Sequence, residues 1–277
     1  MTNDELQFVE ALVRRLPPAP PGETWIGDDA AVLRSPAGCL LLAADAVVEG
    51  RYAAGSMADL GWTALARNVS DIAAMGGRPL HAVVTVVVPP GRGEDLDALY
   101  DGLGEAADAL GCPIVGGDLT GGPVLVVTVA ITGTVDGTPV LRSGARPGDV
   151  VFVTGPLGAA KASGWRPGRL VPRVAEGDAA RRGGATAMID VSDGLALDLR
   201  RLAAASGVRV VVDDVPVATG ASREDAMTGG EDYELALCGP ADLGDAFAGL
   251  RPPIAIGRVV EGSGVEGLPE GGWRHEW

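Results

Sequence analysis

Short β-branched runs alternate with segments of helical period in the first half of the chain, and this alternation most constrains the fold. Leu80–Val88 is rich in valine and is followed by two prolines, which is typical of a strand. Met57–Ala74 and Glu94–Leu110 carry apolar residues at helical spacing. With further strands expected at Cys39–Ala44 and Val124–Thr132, this half is predicted to be β-α-β-α-β.

The second half is also predicted to mix strands and helices. Leu141–Asp149 is polar and contains glycine and proline, which favours a domain boundary, so we expect domains at 1–137 and 138–277. A helix is predicted over Ser192–Ser206, and Trp165–Gly184, with many Arg, Gly and Pro residues, is expected to be a loop. Strands are expected near Val150–Thr154, Ala187–Val191, Arg209–Asp213 and Glu234–Cys238, and a short helix at Asp4–Leu16.

Charge and cysteine content exclude several classes of protein. The chain has 37 acidic and 22 basic side chains, a formal net charge of −15, which argues against general nucleic-acid binding and against an anionic membrane surface as partner. No apolar run reaches the ~18 residues of a membrane span, and no signal peptide is evident. Three widely spaced cysteines form no disulfide framework or zinc motif, so we expect a cytoplasmic protein.

Few residues are available for histidine- or lysine-based chemistry. The chain has two histidines, which leaves almost nothing for a zinc site or a Ser-His-Asp triad. Lys161 is the one lysine, and no P-loop motif occurs. No G-x-G-x-x-G motif follows a strand, so a dinucleotide fold has no support.

Aspartates recur beside glycines at the ends of the apolar runs. Each such segment alone is explained as an ordinary turn, but six together are harder to explain that way. Clustered carboxylates repel one another unless cations lie between them, and Mg²⁺ suits such oxygen ligands and bridges phosphates. We therefore expect a Mg²⁺ site for phosphoryl transfer, with two-metal hydrolysis as the alternative. The segments are Gly27–Asp29, Ala44–Asp45, Ser70–Asp71, Gly116–Asp118, Asp190–Asp193 and Gly229–Glu234.

Taken in order, these motifs resemble those of thiamine-monophosphate kinases, from about Leu6 to Trp273. The strings Asn68-Val-Ser-Asp-Ile-Ala-Ala-Met-Gly76 and Gly229-Gly-Glu-Asp-Tyr-Glu-Leu235 are the most specific, and they join Gly27–Ala31, Gly116–Asp118, Arg142–Asp149 and Asp190–Leu195. The resemblance implies a two-domain α+β fold like that of aminoimidazole ribonucleotide synthase, with a C-terminal α/β domain. It also implies a homodimer in which strands of the N-terminal domains pair, and transfer of the γ-phosphate of ATP to thiamine monophosphate.

The same resemblance implies roles for individual residues. It places Asp71 and Asp193 at the reacting centre, and Glu231 and Trp273 beside the cationic thiazolium, which a carboxylate and an aromatic face can bind. The implied Mg²⁺ ligands are Asp29, Asp45, Asp71, Asp118, Asp190 and Asp193, and the implied ATP contacts are Tyr100, Gly117, Arg142 and Ser192.

Each role has a simpler alternative. Tyr100 lies beside an apolar helical stripe and could belong to the core. Ser192 precedes a predicted helix and could be its N-cap. Arg142 could be a solvated charge, and Trp273 could cover a hydrophobic edge.

The sequence departs from the family pattern mainly on the acceptor side. Ala43 and Ala44 replace the usual Ser/Thr residues before Asp45, and Tyr52 stands where the family has a substrate-contacting His. The stretch between Gly164 and Ala187 is shorter than usual. These differences leave open a relative that uses the same Mg-ATP site on another phosphate or carboxylate acceptor. A non-catalytic nucleotide-binding protein and a generic acidic α/β protein are the remaining alternatives.

Overall fold

Two β-sheets, each formed by one half of the chain, organise the structure. The computed structural model describes residues 18–25, 27–35, 38–50, 55–164 and 169–273. The helix expected at Asp4–Leu16 lies outside these residues. None of the helices in the described ranges is long and apolar enough to cross a membrane.

The first sheet has the strand order β1-β2-β5-β3-β4. Strand β4 is parallel to β3, and the other neighbours are antiparallel. Helix α1 contributes Leu65, Val69 and Ile72 to the apolar core on one face of the sheet, and α2 packs against α1. The elements are β1 (Ala31–Ser35), β2 (Gly38–Val48), α1 (Met57–Ala74), β3 (Arg78–Val88), α2 (Asp95–Leu110), β4 (Ile114–Gly121) and β5 (Val126–Thr134).

The opposite face of this sheet carries apolar side chains in contact with solvent. Leu42 and Val83, which alternate with buried strand residues, are 40% and 43% exposed. The edge strand β4 exposes Val115 and Leu119 by 62% and 55%. An apolar face beside a strand that is the edge of the sheet among the described residues is a surface suited to association with another chain.

The second sheet has the order β11-β8-β10-β6-β9-β7, with β11 parallel to β8 and the other neighbours antiparallel. Helix α5 contributes Leu195, Leu199 and Leu202 to the core beside this sheet. The elements are β6 (Val150–Val153), α3 (Ala159–Ala162), α4 (Val174–Arg182), β7 (Ala187–Asp190), α5 (Leu195–Ser206), β8 (Arg209–Val212), α6 (Arg223–Thr228), β9 (Leu235–Gly239), a 3₁₀ helix (Leu243–Phe247), β10 (Ile254–Val260) and β11 (Gly264–Glu266).

The long periodic segments are the ones that the sequence predicts best. Helix α1 spans the predicted residues, and α2 ends at Gly111, which adopts a left-handed conformation with φ 64°. Strands β3 and β5 lie within two residues of the expected bounds. Repeated contact with one apolar core leaves a periodic signal in the sequence, and these elements have it.

The expected loop over Trp165–Gly184 is wrong for its second part, which forms α4. Gly177 of this helix approaches α1 so closely that a Cβ atom would overlap the carbonyl oxygen of Ala73. Ala179 and Ala180 are fully buried. The helix packs through these small residues, so it lacks the stripe of large apolar side chains that reveals a helix in a sequence.

The segment Gly116–Asp118 is not a turn but the middle of strand β4. Gly117 lies so near β3 that a Cβ atom would overlap the carbonyl oxygen of Val84. Glycine here permits a close approach of two strands, whereas the sequence suggested a turn. Strands β1, β10 and β11 were not anticipated, and α5 begins at Leu195, later than the expected Ser192.

Candidate active site

A cavity of about 260 Å³ opens where residues from both halves of the chain meet. Its lining is mainly charged and combines carboxylates with two arginines and two aromatic side chains. The lining residues are Asp28, Asp29, Ala44, Asp45, Arg67, Asp71, Arg142, Asp190, Ser192, Asp193, Glu231, Tyr233 and Trp273.

Helix α1 fixes one wall of the cavity. Arg67 and Asp71 are four positions apart and therefore lie on the same helical face. Between them, Asn68 accepts a 3.0 Å hydrogen bond from the backbone N–H of Asp45, and Ser70 donates a 2.7 Å hydrogen bond to Asp190. One helical turn therefore fixes the backbone of Asp45 in β2 and the carboxylate of Asp190 at the end of β7.

Three carboxylates converge on one point. Oxygen atoms of Asp29, Asp71 and Asp190 all lie within 4.8 Å of one another. Burial, followed by the neighbouring negative charges, raises the pKa of Asp71 well above its usual range and does the same for the pKa of Asp190. Such a group of hard oxygen ligands, destabilised as free anions, fits a divalent cation.

Arg142 joins the segment between the sheets to this cluster. Its Nη2 and Nε atoms lie 2.6 and 3.1 Å from the two carboxylate oxygens of Asp29. Its backbone N–H donates to the carboxylate of Asp28, and its carbonyl accepts from Ser206. Burial, with the charge of Asp29 second, raises the pKa of Asp28 to about 7.

A second ion-paired group holds Asp193. Arg201 Nη1 lies 2.6 Å from Asp193 and 2.9 Å from the fully buried Asp198. Asp198 also accepts a 3.0 Å hydrogen bond from the backbone N–H of Asp193. Burial, with the charge of Asp193 second, raises the pKa of Asp198 to about 7.

The far wall is formed by the segment before β9. Glu231 and Tyr233 have positive φ angles of 67° and 50°. Their backbone N–H groups donate to the carbonyls of Ser192 and Val191 at 2.7 and 3.0 Å. The backbone N–H of Trp273 donates to the carbonyl of Asp193 at 2.8 Å. Burial raises the pKa of Glu231, and the positive charge of Arg67 opposes this shift.

The structure brings nine of the predicted site residues to the cavity, and it places Tyr100, Gly117 and Asp118 elsewhere. Tyr100 is 41% exposed on α2, and Gly117 and Asp118 are exposed on β4. Tyr52 lies outside the described residues. The residues at the cavity are Asp29, Asp45, Asp71, Arg142, Asp190, Ser192, Asp193, Glu231 and Trp273.

The simpler alternatives for three residues are wrong. Tyr100 is not a core residue, because it is exposed on its helix. Ser192 is not the N-cap of α5, because that position is Gly194. Arg142 is not a solvated charge, because it is paired with Asp29.

Comparison with known proteins identifies the family. Residues 27–135 match the model described as "AIR synthase related protein, N-terminal domain". The chain is 36% identical to a thiamine-monophosphate kinase of Methanopyrus kandleri, over 95% of this chain and 91% of that protein. A thiamine-monophosphate kinase of Mycobacterium tuberculosis is 38% identical, over 90% and 84%. The chain belongs to the thiamine-monophosphate kinase family.

Solved structures of the kinase family share the whole fold. The structure described as AaThiL complexed with AMPPCP and TMP has a TM-score of 0.89 and 28% identity, and the match covers 99% of this chain and 97% of that one. Thiamine monophosphate kinase from Aquifex aeolicus matches with a TM-score of 0.82 and 28% identity, covering 96% and 97%.

Sequence reasoning missed several residues that build this kinase-family site. Asn68 and Ser70 stand inside one of the recognised motifs, but the motif alone does not show that Asn68 binds the backbone N–H of Asp45 and Ser70 the carboxylate of Asp190. Arg67 precedes that motif, and Tyr233 lies within another. Arg67 carries no sequence signal of its own, because a single arginine in a helix is usually a solvated surface charge.

Proposed function

We propose that this chain transfers the γ-phosphate of ATP to thiamine monophosphate and forms thiamine diphosphate. The observation that carries the proposal is the convergence of Asp29, Asp71 and Asp190 beside Glu231 and Trp273 in one cavity of a kinase-family chain. A phosphate donor held at the carboxylates and a cationic acceptor held at the far wall would meet inside that cavity.

The residues fit Mg²⁺, which the family resemblance implies. Asp190 and the side chain of Asp29 are buried, Asp71 is partly buried, and each offers an oxygen ligand, which Mg²⁺ prefers. Asp45 and Asp193 border the same cavity and are further candidates. Bound Mg²⁺ would neutralise the phosphate charge that builds up during transfer.

The chain's own cations and donors would orient ATP. Arg142 lines the cavity, and because its Nε and Nη2 atoms pair with Asp29, its Nη1 is the atom that can donate to a phosphate oxygen. Ser192 lines the same cavity and can donate its hydroxyl hydrogen. Both contacts position the polyphosphate without forming a covalent intermediate.

The acceptor side requires no general base. The second pKa of a phosphate monoester is about 6, so the accepting oxygen is mostly ionised at neutral pH. Glu231 supplies a negative charge and Trp273 an aromatic face, both at the cavity, and a thiazolium cation binds to such a pair. We therefore propose direct in-line transfer.

We further propose a homodimer that completes the site. Tyr100, Gly117 and Asp118, which the resemblance assigns to ATP and Mg²⁺, lie outside the cavity, and the last two belong to the exposed strand β4. The open apolar face around Leu42 and Val83 supplies a surface for association. A dimer formed through this face would let β4 of one protomer reach the cavity of its partner.

We also propose a domain organisation and a cellular location for the chain. The two sheets support domains at 1–137 and 138–277, the first for metal, ATP and dimerisation and the second completing both substrate sites. We propose a cytoplasmic location, because ATP is the donor and the cysteines Cys39, Cys112 and Cys238 are free thiols.

One observation favours a second candidate function. Ala44 lines the cavity where the family pattern has a hydroxyl-bearing residue, so the acceptor could be a different phosphate or a carboxylate. A coupled assay with Mg-ATP and thiamine monophosphate, which measures thiamine diphosphate itself, tests both candidates. Product in step with ADP, and none with EDTA, supports the first. Intact Mg-ATP binding without product on thiamine monophosphate supports the second.

A further inference from the structure

Arg67 is a buried cation at the cavity that no role assigned so far explains. Its residue exposure is 2%, and it lies one helical turn before Asp71 on α1. Arginine is rarely buried to this extent in proteins, because removing its charge from water is costly unless nearby groups compensate.

Three groups of the cavity surround the guanidinium of Arg67. Nη2 forms an ion pair with Glu231, Nη1 lies 4.0 Å from Asp45, and the guanidinium carbon lies 5.7 Å from the centre of the Tyr233 ring. One carboxylate from each half of the chain and one aromatic ring therefore lie around a single guanidinium. This arrangement suits a residue that orients its neighbours.

Two of the residues that Arg67 contacts have a strained backbone conformation. Glu231 and Tyr233 are the non-glycine residues of positive φ within the described ranges. This backbone conformation is unfavourable for a residue with a side chain and persists only where surrounding contacts determine it. Arg67 contacts the side chains of both, so it helps hold the strained segment against the cavity.

We propose that Arg67 is a positioning residue for the acceptor: its ion pair with Glu231 holds that carboxylate, and its contact with Tyr233 holds the ring, in the geometry that receives the acceptor's cationic group. This inference rests on the proposed function. It adds a determinant of acceptor binding that acts from the N-terminal half of the chain on a wall supplied by the C-terminal half.

The test measures binding and turnover separately. Thiamine monophosphate is titrated into wild type, Arg67→Met and Arg67→Lys in the presence of Mg-AMPPCP, and KM and kcat are measured for both substrates. Loss of one partner of a buried ion pair leaves the other charge uncompensated, so Arg67→Met should raise the acceptor Kd and KM by about 10- to 100-fold. The KM for ATP and kcat should change by less than about threefold, because only acceptor binding is affected. Arg67→Lys keeps the positive charge but loses the planar fork, so its acceptor KM should lie between those of wild type and Arg67→Met.

Arg173→Met is the matched control. Arg173 forms a similar ion pair with the buried Glu234 on the same segment, but neither residue lines the cavity. It should lower the melting temperature while changing the acceptor KM by less than about threefold. An equal rise in acceptor KM for both variants would show a general loosening of the segment and overturn the inference.

Other outcomes are also decisive. If Arg67→Met and Arg67→Lys have equal acceptor KM values, the charge of Arg67 does not position Glu231. If Arg67→Met fails to fold, Arg67→Lys and Glu231→Gln carry the test, and an unchanged acceptor Kd in both overturns the proposal. If the wild-type protein does not bind thiamine monophosphate, the proposed function is wrong. If Arg67→Met binds thiamine monophosphate as tightly as wild type does, only the inference about Arg67 is wrong.

Discussion

At the scale of single residues, Asp71 lies at a position in the cavity where an ionised carboxylate is strongly disfavoured. Its carboxylate comes from a helix, whereas its neighbours Asp29 and Asp190 come from a bend before β1 and from the end of β7. Neighbouring negative charges and burial both disfavour its ionised form. A carboxylate whose ionised form is disfavoured in this way is best explained by a cation that it would bind.

Replacing Asp71 with Asn should therefore impair metal-dependent turnover. At limiting Mg²⁺ we expect kcat/KM to fall by at least about 100-fold, because a metal ligand is lost directly. Steady-state assays over a Mg²⁺ series measure the effect. Asp136→Asn is the control, because Asp136 is exposed, pairs with the exposed Arg78 and does not line the cavity, and it should behave as wild type. Wild-type turnover in Asp71→Asn at limiting Mg²⁺ would disprove the assignment.

Asp232, which is not part of the cluster of Asp29, Asp71 and Asp190, should give the stability of the protein a measurable pH dependence. Its carboxylate accepts N–H bonds from Gly158 and Ala160, yet burial raises its pKa to about 6. The folded state therefore binds more protons than the unfolded state between about pH 4 and pH 6, and this group makes the free energy of unfolding fall as pH rises through that range.

Asp232→Asn should remove that contribution, which amounts to at most about 3 kcal/mol. Urea unfolding at several pH values should show a less negative slope of unfolding free energy against pH in the variant than in wild type. Parallel curves for the two proteins between pH 4 and pH 6 would contradict the raised pKa.

At the scale of elements, the close contact between α1 and α2 positions the helix that carries Arg67 and Asp71. A Cβ atom on Gly102 of α2 would overlap the carbonyl oxygen of Ala58 in α1. Gly104, two residues later, has no atom within 4 Å of the same hypothetical Cβ. Alanine substitutions at these two glycines therefore separate the cost of a steric overlap between the helices from the gain in helix propensity.

Gly102→Ala should destabilise the protein by about 1–3 kcal/mol, because the helices must move apart. Gly104→Ala should stabilise it by about 1 kcal/mol, because alanine favours the helix and meets no neighbour. Urea denaturation of both variants measures the difference. Equal stability of the two would mean that the helices are not in close contact.

The elements also show why the sequence predicts some of the structure and not the rest. Helices α1 and α2 carry apolar residues at helical period, and they appear at the expected positions. Helix α4 and strand β4 depend on small residues, Gly177 and Gly117, at which backbones approach closely. A glycine looks the same in a turn and in a close contact, so only the three-dimensional neighbours distinguish them.

The candidate site likewise contains some residues that the sequence predicts and others that it does not. Asp29, Asp71 and Asp190 could be named as candidates, because each stands in a motif that resembles those of the kinase family. Arg67 could not, because its partners Asp45 and Glu231 lie far away in the sequence. Side chains that act on distant residues leave no local pattern.

At the scale of the whole molecule, the cavity of a single chain does not contain every described residue that the resemblance assigns to the site. Asp118 lies on the exposed strand β4 and Asp71 at the cavity. If a dimer completes each cavity with Asp118 of the partner, two inactive variants should complement each other.

Asp71→Asn and Asp118→Asn should each be inactive alone. Unfolded together and refolded in equal amounts, they should recover about a quarter of wild-type activity, because half of randomly paired dimers are mixed and each mixed dimer has one intact site of two. Activity assays with and without the mixing step measure this. A mixture as inactive as its components would place Asp118 in its own protomer's site or outside the reaction.

The hydrogen bond from Ser70 to Asp190 has a kinetic consequence. It joins residues 120 positions apart, and the bond between Arg142 and Asp28 spans 114 positions. The entropy of closing such loops must be lost before any of these contacts forms, and native topologies dominated by distant pairings fold slowly. A refolding chain should therefore regain its helices well before it regains its substrate cavity, so helical signal and nucleotide affinity would return on separate timescales.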